Sequence, residues 1–233
     1  MKMSTAGLIA LIGHEGIVLS RYKDSVGVWT IGCGHTKAAG GLDPATFTGT
    51  LTMRQALDLL RTNIVKYENG VNAAVKVPLA QHEFDALVSF HYNTGAIAKA
   101  TLTKTLNAGN KKLAGEQFMN WLKPPEIKAR RQAESTLFLT GKYPPPMATV
   151  YPADANGKVL WSKGTRVNVE QLLAQKPLTI PSAEPVSPPP VPIDAPPAPD
   201  RPAVITQGPV PSGGWLAAFL AVIAAAFGKK GNS

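Results

Sequence analysis

The apolar residues near the start of the chain predict a helix that ends at an acidic residue. Ser4 is a favourable N-cap, residues 6–12 are all apolar or small, and Gly16 is a residue type that commonly terminates helices. Glu15 is therefore expected at the C-terminal end of this first helix.

The pattern then changes to one that predicts a β-hairpin or small sheet. Residues 17–34 are rich in β-prone side chains, the polar residues 23–25 interrupt them, and Gly27 is available for a turn. Asp24 is therefore expected at or near the turn of this hairpin, with Thr30 on the strand that follows.

Helical periodicity and capping signals dominate between residues 52 and 140. Thr52 and Gln55 have the spacing of a capping box, which predicts a long helix continuing to about Lys76 after a loop. Further helices are predicted over residues 81–94, 102–107, 111–122 and 126–140. The expected fold class is α+β, mainly α, with a small β-containing lobe joined by a long helix to a helical lobe.

Residues 144–176 predict a small extension to this fold. The pair Asn156-Gly157 favours a tight turn, and the β-prone residues 150–151 and 159–161 on either side predict a hairpin. Asn168 is a candidate N-cap for a last helix that runs through Ala174.

The remaining residues have a different composition. Residues 177–211 hold 13 of the 21 prolines, which is typical of a semi-extended linker without a core. Residues 212–233 contain thirteen consecutive apolar residues, from Trp215 to Phe227, followed by Gly228 and two lysines. A helix of that length spans about 20 Å, less than the roughly 30 Å hydrocarbon core of a bilayer. We consider both membrane contact and packing on the protein's own domain or a partner.

Net charge narrows the class of partner. The 233 residues carry a formal charge of +9, and residues 1–176 account for all of it, with 21 basic and 12 acidic side chains. A basic domain is attracted to polyanions such as nucleic acid, an anionic membrane or an acidic cell-wall polymer. Nucleic-acid binding is not expected, because the sequence has no recognisable binding module and no aromatic-basic stripe.

Cysteine content and the N-terminus predict a protein made and folded in the cytoplasm. Cys33 is the only cysteine and lies between two glycines, which favours a small buried residue rather than a reactive thiol. The apolar stretch near Met1 is short for a signal peptide and has no small-x-small cleavage site.

Neither a metal nor a cofactor is expected. His82-Glu83 resembles half of a zinc-protease motif, but Ala86 stands where the second histidine would be needed. Gly32-Cys33-Gly34 lacks the third glycine and the strand-to-helix context of a dinucleotide-binding loop.

Two carboxylates in unlike settings are the remaining candidates for chemistry. Glu15 follows an apolar helix and Asp24 lies in a neighbouring turn. Glycoside hydrolysis uses such a pair, a partly desolvated carboxylic acid that protonates the leaving oxygen and a solvated carboxylate that stays ionised. Thr30 has a hydroxyl that would project into the same cleft.

Three separated blocks of sequence resemble the phage-type lysozymes, the muramidases or endolysins of glycoside hydrolase family 24. The first block contains Glu15, Asp24 and Thr30 at gaps of nine and six, and continues as Gly-x-Gly-His-Thr to Thr36. The second covers residues 81–95 and the third covers residues 130–141. The resemblance covers roughly residues 4–143, so residues 1–143 are predicted to be a two-lobed, lysozyme-like catalytic domain.

The resemblance implies hydrolysis of the β-1,4 bond between N-acetylmuramic acid and N-acetylglucosamine in bacterial peptidoglycan. Glu15 would be the general acid, while Asp24 would stabilise oxocarbenium-like charge and position the attacking water with Thr30, which fits an inverting geometry. Four residues are candidates for substrate binding or for structural support: His35, Asn93, Arg130 and Arg131. His35 is expected to support the hairpin by hydrogen bonds rather than to act as a catalyst, and Arg130 and Arg131 have a possible ion-pair partner in Glu134.

The expected biological role is that of a monomeric endolysin of a phage or prophage that lyses the host cell and releases phage. It would accumulate in the host cytoplasm and reach the wall after a holin-like pore opens the inner membrane. Two alternatives stay open: a lytic transglycosylase, which needs the glutamate but no aspartate-bound water, and a non-catalytic wall-binding or membrane-tethering protein on a lysozyme fold.

Overall fold

A computed structural model describes residues 1–24 and 27–174. The Pro-rich linker and the apolar segment from Trp215 to Phe227 lie outside the described residues, as do the turn residues Ser25 and Val26. Within the described part of the chain, none of the helices combines the length and apolar character needed to cross a membrane.

The N-terminal residues form the predicted helix and sheet. Helix α1 (Thr5–Glu15) begins at Ser4, whose hydroxyl accepts a hydrogen bond from the Gly7 amide, and ends at Gly16. Three antiparallel strands follow in the order β1-β2-β3, with bounds Val18–Lys23, Trp29–Gly32 and His35–Thr36. The prediction of a helix ending at Glu15 and a hairpin after it is confirmed.

A long helix leads from the sheet to the helical lobe. Helix α2 (Met53–Ala74) begins with the predicted capping box, in which Thr52 and Gln55 bond each other's backbone amides. Helices α3 (Gln81–Thr94), α4 (Thr101–Asn107), α5 (Lys111–Glu116) and α6 (Lys128–Thr140) make up the helical lobe.

Two of these helices are shorter than predicted. After α5 the backbone tightens to a 3-10 turn over Gln117–Asn120, where Phe118 is buried against Phe90 and Phe138. A second 3-10 turn, over Pro125–Ile127, precedes α6 and carries proline at its first position, where a missing N–H costs no hydrogen bond.

Helix α3 lies at the centre of the core. Its apolar residues Phe84, Leu87 and Val88 are buried, and Asp85 and Ser89 on other faces are buried as well. Burial extends around the helix because α1, α2 and α6 all pack against it. An amphipathic pattern underestimates burial for a helix that is surrounded in this way.

Residues 144–174 form a hairpin and a helix, although with different strand pairing from the prediction. Strand β4 (Met147–Val150) pairs with β5 (Thr165–Asn168) and not with residues 159–161. The predicted Asn156-Gly157 turn exists, but Val159 forms only a single bridge to Ala153 before the chain coils into a 3-10 turn and returns as β5.

The last described helix confirms its predicted cap. Helix α7 (Val169–Ala174) follows Asn168, whose Oδ1 accepts a hydrogen bond from the Gln171 amide at 3.1 Å.

This C-terminal extension is continuous with the rest of the fold. The Ile17 amide donates to the Thr149 carbonyl at 2.9 Å, and the Tyr151 amide donates to the Ile17 carbonyl at 2.8 Å. Ala148 and Val169 belong to the same buried apolar cluster as α1 and α3. The extension therefore shares part of its apolar core with the residues before position 143.

A buried carboxylate fixes the N-terminus to α3. Asp85 is fully buried, and it accepts hydrogen bonds from the Ser4 amide at 3.0 Å, from Gln81 Nε2 at 2.8 Å and from the Tyr143 hydroxyl at 2.7 Å. Burial and the Asp85 hydrogen bond raise the pKa of Tyr143 to about 12. Asp85 therefore joins the start of α1 to Tyr143, three residues after the end of α6.

We expect Asp85→Asn to lower the free energy of unfolding by about 1–3 kcal/mol, because the amide nitrogen would face donors that now meet an acceptor. Urea denaturation of the full chain measures the change. The control is Asp58→Asn on the exposed side of α2, which we expect to change stability by less than about 0.5 kcal/mol. Equal effects of the two substitutions would contradict the role given to Asp85.

Candidate active site

Glu15 is held at the point where α1 ends and the sheet begins. Gly16 has a φ of 72°, and a Cβ at this position would come within 2.9 Å of the Tyr151 ring. Glycine therefore allows both the sharp exit from the helix and the close approach of the C-terminal extension. The Glu15 side chain is almost completely buried, and its Oε1 accepts a hydrogen bond from Arg130 Nη1 at 2.6 Å.

Arg130 is the centre of a buried network of charges. Its Nε donates to Glu134 Oε1 at 2.9 Å and its Nη2 to the Ser89 carbonyl at 3.1 Å. Arg131 binds Glu134 Oε2 and Asn93 Oδ1 and places its guanidinium over the Phe90 ring. The network holds two carboxylates and two guanidinium groups, so their formal charges cancel.

The network changes the pKa of its members in ways that follow from burial and charge. Burial would raise the pKa of Glu134, but Arg130 and Arg131 outweigh it and hold that pKa below its usual value. Burial would lower the pKa of Arg130, and the charges of Glu15 and Glu134 outweigh it in turn. Arg130 and Glu134 therefore stabilise each other's charged forms.

The second oxygen of Glu15 is in a different situation. Oε2 is buried and has no hydrogen-bond partner among the described residues. Arg130 therefore fixes one oxygen of this carboxyl group and leaves the other for a molecule that the protein itself does not supply.

Asp24 closes the turn that joins β1 to β2. Its amide donates to the Val28 carbonyl at 3.0 Å, and its Oδ1 accepts from the Val28 amide at 2.9 Å. The side chain is half-buried. Asp24 is held by the hairpin backbone, whereas Glu15 is held by a side-chain ion pair.

Thr30 shares its partner with Asp24. The Thr30 hydroxyl is buried and donates to the same Val28 carbonyl at 3.0 Å, and Thr30 pairs with Tyr22 across the sheet. The structure therefore brings Asp24 and Thr30 together at one peptide unit.

Burial and nearby carboxylates raise the pKa values of two buried tyrosines, Tyr22 and Tyr92. Burial raises the pKa of Tyr22 well above its ordinary value, and the charges of Asp24 and Glu15 raise it further. Burial also raises the pKa of Tyr92, with Glu15 as the next contribution. Cys33 is buried beside them, where burial and Glu15 raise the pKa of the thiol, in agreement with its expected role as a packed residue.

Of the four candidate substrate-binding residues, three are buried and one is half-buried. His35 is buried, with its ring nitrogens 3.0 Å from Asn63 Oδ1 and 2.9 Å from the Leu42 carbonyl. Both nitrogens are therefore occupied by protein contacts. Arg130 and Arg131 are buried in ion pairs and do not face open cleft, while Asn93 is half-buried.

A cavity of about 470 Å³ lies beside Tyr92, whose hydroxyl donates to the Cys33 carbonyl at 3.0 Å. Its polar and aromatic lining includes Thr36, Asn63, Lys66, Tyr67 and Asn69. Sequence reasoning missed the four of these residues that lie on α2, because polar side chains on a predicted helix have the same pattern as an ordinary solvated face.

Comparison with known protein families gives a match that includes the whole site. The family model described as phage lysozyme matches residues 12–134. This range contains both candidate carboxylates, Thr30 and the buried arginines, and it ends before the C-terminal extension.

Individual relatives agree with the family match. The endolysin of Salmonella phage P22 is 36% identical over 146 residues, which cover 60% of this chain and 99% of that protein. The SAR-endolysin of Enterobacteria phage P21 is 31% identical, covering 56% of this chain and 80% of that protein. The solved structure of the endolysin from Escherichia coli O157:H7 phage FAHEc1 is 37% identical, with a TM-score of 0.56, and covers 62% of this chain and 97% of that one.

The family match extends over more than half of the chain, and the P22 relative is matched over almost its full length. The chain therefore belongs to the phage lysozyme family and is a lysozyme-type glycosidase that lyses peptidoglycan.

Proposed function

We propose that the protein is an endolysin that hydrolyses the β-1,4 bond between N-acetylmuramic acid and N-acetylglucosamine, causing host lysis and phage release. The observation that carries the proposal is the arrangement of Glu15, whose Oε1 is held by Arg130 and whose buried Oε2 has no partner among the described residues. Asp24 and Thr30 stand in the same site and share Val28.

Glu15 acts as the general acid in this proposal. Because Arg130 donates to Oε1, the proton that reaches substrate is carried on Oε2. It moves to the bridging glycosidic oxygen as the bond from that oxygen to the anomeric carbon breaks, so the leaving sugar departs with a hydroxyl group.

Asp24 and Thr30 act at the anomeric carbon. The Asp24 carboxylate stabilises the oxocarbenium-like charge that develops there, and together with the Thr30 hydroxyl it positions a water molecule. The water oxygen bonds to the anomeric carbon and Asp24 takes up a water proton, which completes hydrolysis. Their shared attachment to Val28 keeps the carboxylate and the hydroxyl in fixed relation.

Positive charge and the remaining polar residues serve substrate binding. The net charge of +9 holds the enzyme close to an anionic wall. Among the four residues first considered for substrate binding, Asn93 is the one with a partly exposed side chain, and we propose it as a sugar or peptide contact.

Asp24, nine residues after Glu15 in the sequence, favours hydrolysis over the lytic transglycosylase alternative, which has no need of a bound water. A non-catalytic wall-binding protein would have no need of a buried acid with a free oxygen. Both alternatives predict outcomes in the experiment below that differ from those of a hydrolase.

We expect Glu15→Gln to reduce the release of reducing ends from purified peptidoglycan by about 10²- to 10⁴-fold, because the amide cannot donate the proton. The matched control is Glu83→Gln, another buried glutamate, whose oxygen caps α3 by accepting from the Ala80 amide at 2.7 Å. Its activity should stay within about twofold of the wild type.

Two outcomes would contradict the proposal. Products that carry 1,6-anhydromuramic ends in place of reducing ends would identify a transglycosylase. Full wall-clearing function in Glu15→Gln would identify a protein that does not depend on catalysis.

His14, which precedes Glu15 in the sequence, makes the stability of the fold depend on pH below about 6.5. Burial lowers the pKa of His14 from 6.5 to about 4, and Arg130 and Arg131 lower it while Glu134 opposes them. Between these pH values the unfolded chain binds more protons than the folded chain, so stability falls as the pH falls from about 6.5 towards 4.

We expect His14→Asn to reduce this acid destabilisation. The histidine contributes at most about 1.4 kcal/mol per pH unit to the slope of unfolding free energy. Urea denaturation at several values between pH 4 and 7 should therefore show a shallower slope for the variant than for the wild type. Parallel slopes would contradict the role of His14.

The proposed function also includes delivery of the enzyme to the wall. We propose that the enzyme is a monomer held in the host cytoplasm until a holin-like pore opens the inner membrane, and that the segment from Trp215 to Phe227 then contacts the membrane. Twelve of its thirteen side chains are aliphatic or phenyl groups, and two lysines that follow it suit a lipid headgroup region.

We expect the full chain to float with anionic lipid vesicles and Leu220→Asp/Ile223→Asp to lose flotation, because the charges oppose insertion of the apolar segment. Clearing of isolated wall should be equal for the two proteins. Equal flotation would favour the other interpretation, in which the segment packs on protein.

A further inference from the structure

The C-terminal extension is hydrogen-bonded to the β1–β2 hairpin at Lys23, the residue before Asp24. The Lys23 amide donates a hydrogen bond of 2.7 Å to the Gly157 carbonyl, across 134 positions of sequence. Lys23 is the last residue of β1 and directly precedes Asp24. The extension lies outside residues 12–134, which the family model matches.

The turn that carries Gly157 is itself well ordered by hydrogen bonds. Asp154 Oδ1 accepts from the amides of Asn156 and Lys158, both at 2.9 Å, and the Gly157 amide donates to the Asp154 carbonyl at 3.0 Å. The Gly157 carbonyl is therefore presented to Lys23 by a turn with little freedom of its own.

Close packing adds to this backbone contact. Gly157 has a φ of 81°, and a Cβ there would come within 2.5 Å of Trp29 Cζ3 and 3.3 Å of the Lys23 amide nitrogen. Trp29 pairs with Lys23 across the hairpin and is the residue before Thr30. The turn thus contacts the hairpin on both strands, one residue away from each of the two proposed water-positioning groups.

A small apolar cluster also joins the extension to strand β1. Val18 and Tyr22 of β1 are buried together with Val159, and Tyr151, Ala153 and Trp161 pack around them. The Tyr151 and Trp161 rings meet edge to face with centroids 5.0 Å apart. Residues on both sides of the Gly157 turn therefore pack on β1, the strand that leads to Asp24.

We propose that residues 151–161 act as a positioning element for catalysis, which holds the hairpin at Lys23 and Trp29 and so fixes Asp24 and Thr30 relative to Glu15. This inference rests on the proposed hydrolytic function. Glu15 is held independently by Arg130, so loss of the extension contact shifts the water-positioning half of the site and leaves the acid in place. Misplacement of reacting groups by about 1 Å costs on the order of 10²-fold in rate.

The test is Gly157→Ala in the full chain, assayed on soluble peptidoglycan fragments. We expect kcat to fall at least about tenfold while KM changes by less than about twofold, because the substitution displaces Trp29 and Lys23 and leaves the cavity beside Tyr92 untouched.

The matched control is Gly109→Ala. Gly109 has a φ of 87°, so alanine suffers the same backbone strain there, but a Cβ would meet no atom within 4 Å. Both variants should lose stability, and the control should retain wild-type kcat at a temperature below both unfolding transitions.

A second pair of variants covers the case in which Gly157→Ala does not fold. Asp154→Ala removes the two side-chain bonds that order the turn, and Asp58→Ala on α2 is its control. We expect a fall in kcat of about threefold or more for Asp154→Ala, with KM unchanged.

The outcomes separate this inference from the function beneath it. A wild-type chain that releases no fragments would overturn the proposed function and the positioning role with it. Wild-type cleavage together with equal kcat in Gly157→Ala and Gly109→Ala, or in the aspartate pair when the glycine variant does not fold, would overturn the positioning role alone.

Discussion

The ion pair between Glu15 and Arg130 is the interaction on which the rest of the site depends. It joins the end of the first helix to the last helix of the helical lobe, across 115 positions of sequence, and both side chains are buried. Removing one partner of a buried pair typically costs about 3–5 kcal/mol, because the other charge is left without compensation. Glu134 and the Ser89 carbonyl accept hydrogen bonds from the other nitrogens of Arg130, and Arg131 donates to the second oxygen of Glu134.

This arrangement combines two demands that usually conflict. A stable interior needs every buried polar atom to have a partner, whereas a catalytic acid needs an atom that is kept for the substrate. Here the guanidinium group satisfies Oε1 of Glu15, and the neighbouring carboxylate of Glu134 balances the additional charge. Among the described residues, two atoms of this network are buried without a hydrogen-bond partner, Glu15 Oε2 and Arg131 Nε, and of these only Oε2 belongs to a carboxyl group.

Local signals in the sequence were enough for most helices and for the placement of Glu15, Asp24 and Thr30. Ser4, the capping box at Thr52 and the glycines at helix ends act over a few residues, so they can be read without knowledge of tertiary contacts. The pairing of β4 with β5 was not predictable in this way, because the Asn156-Gly157 turn specifies a reversal but not which later residues return to the strand. Burial of Arg130 and Arg131 was equally hidden, since an arginine on a helix has the same local pattern whether it faces solvent or a buried glutamate.

Backbone hydrogen bonds join Ile17 to Thr149 and Tyr151, and Lys23 to Gly157. Each of them can form only after the later residue of its pair has been synthesised. A ribosome releases the chain from its N-terminus, so the β1–β2 hairpin emerges long before the residues that complete its hydrogen bonding. Contacts between such distant positions form late, after most of the loop-closure cost has been met by the helices between them. A nascent or prematurely terminated chain that stops short of residue 157 lacks the Lys23 contact, however well its helical lobe has folded. The hydrogen bonding of the β1–β2 hairpin is therefore completed only after residue 157 has been synthesised.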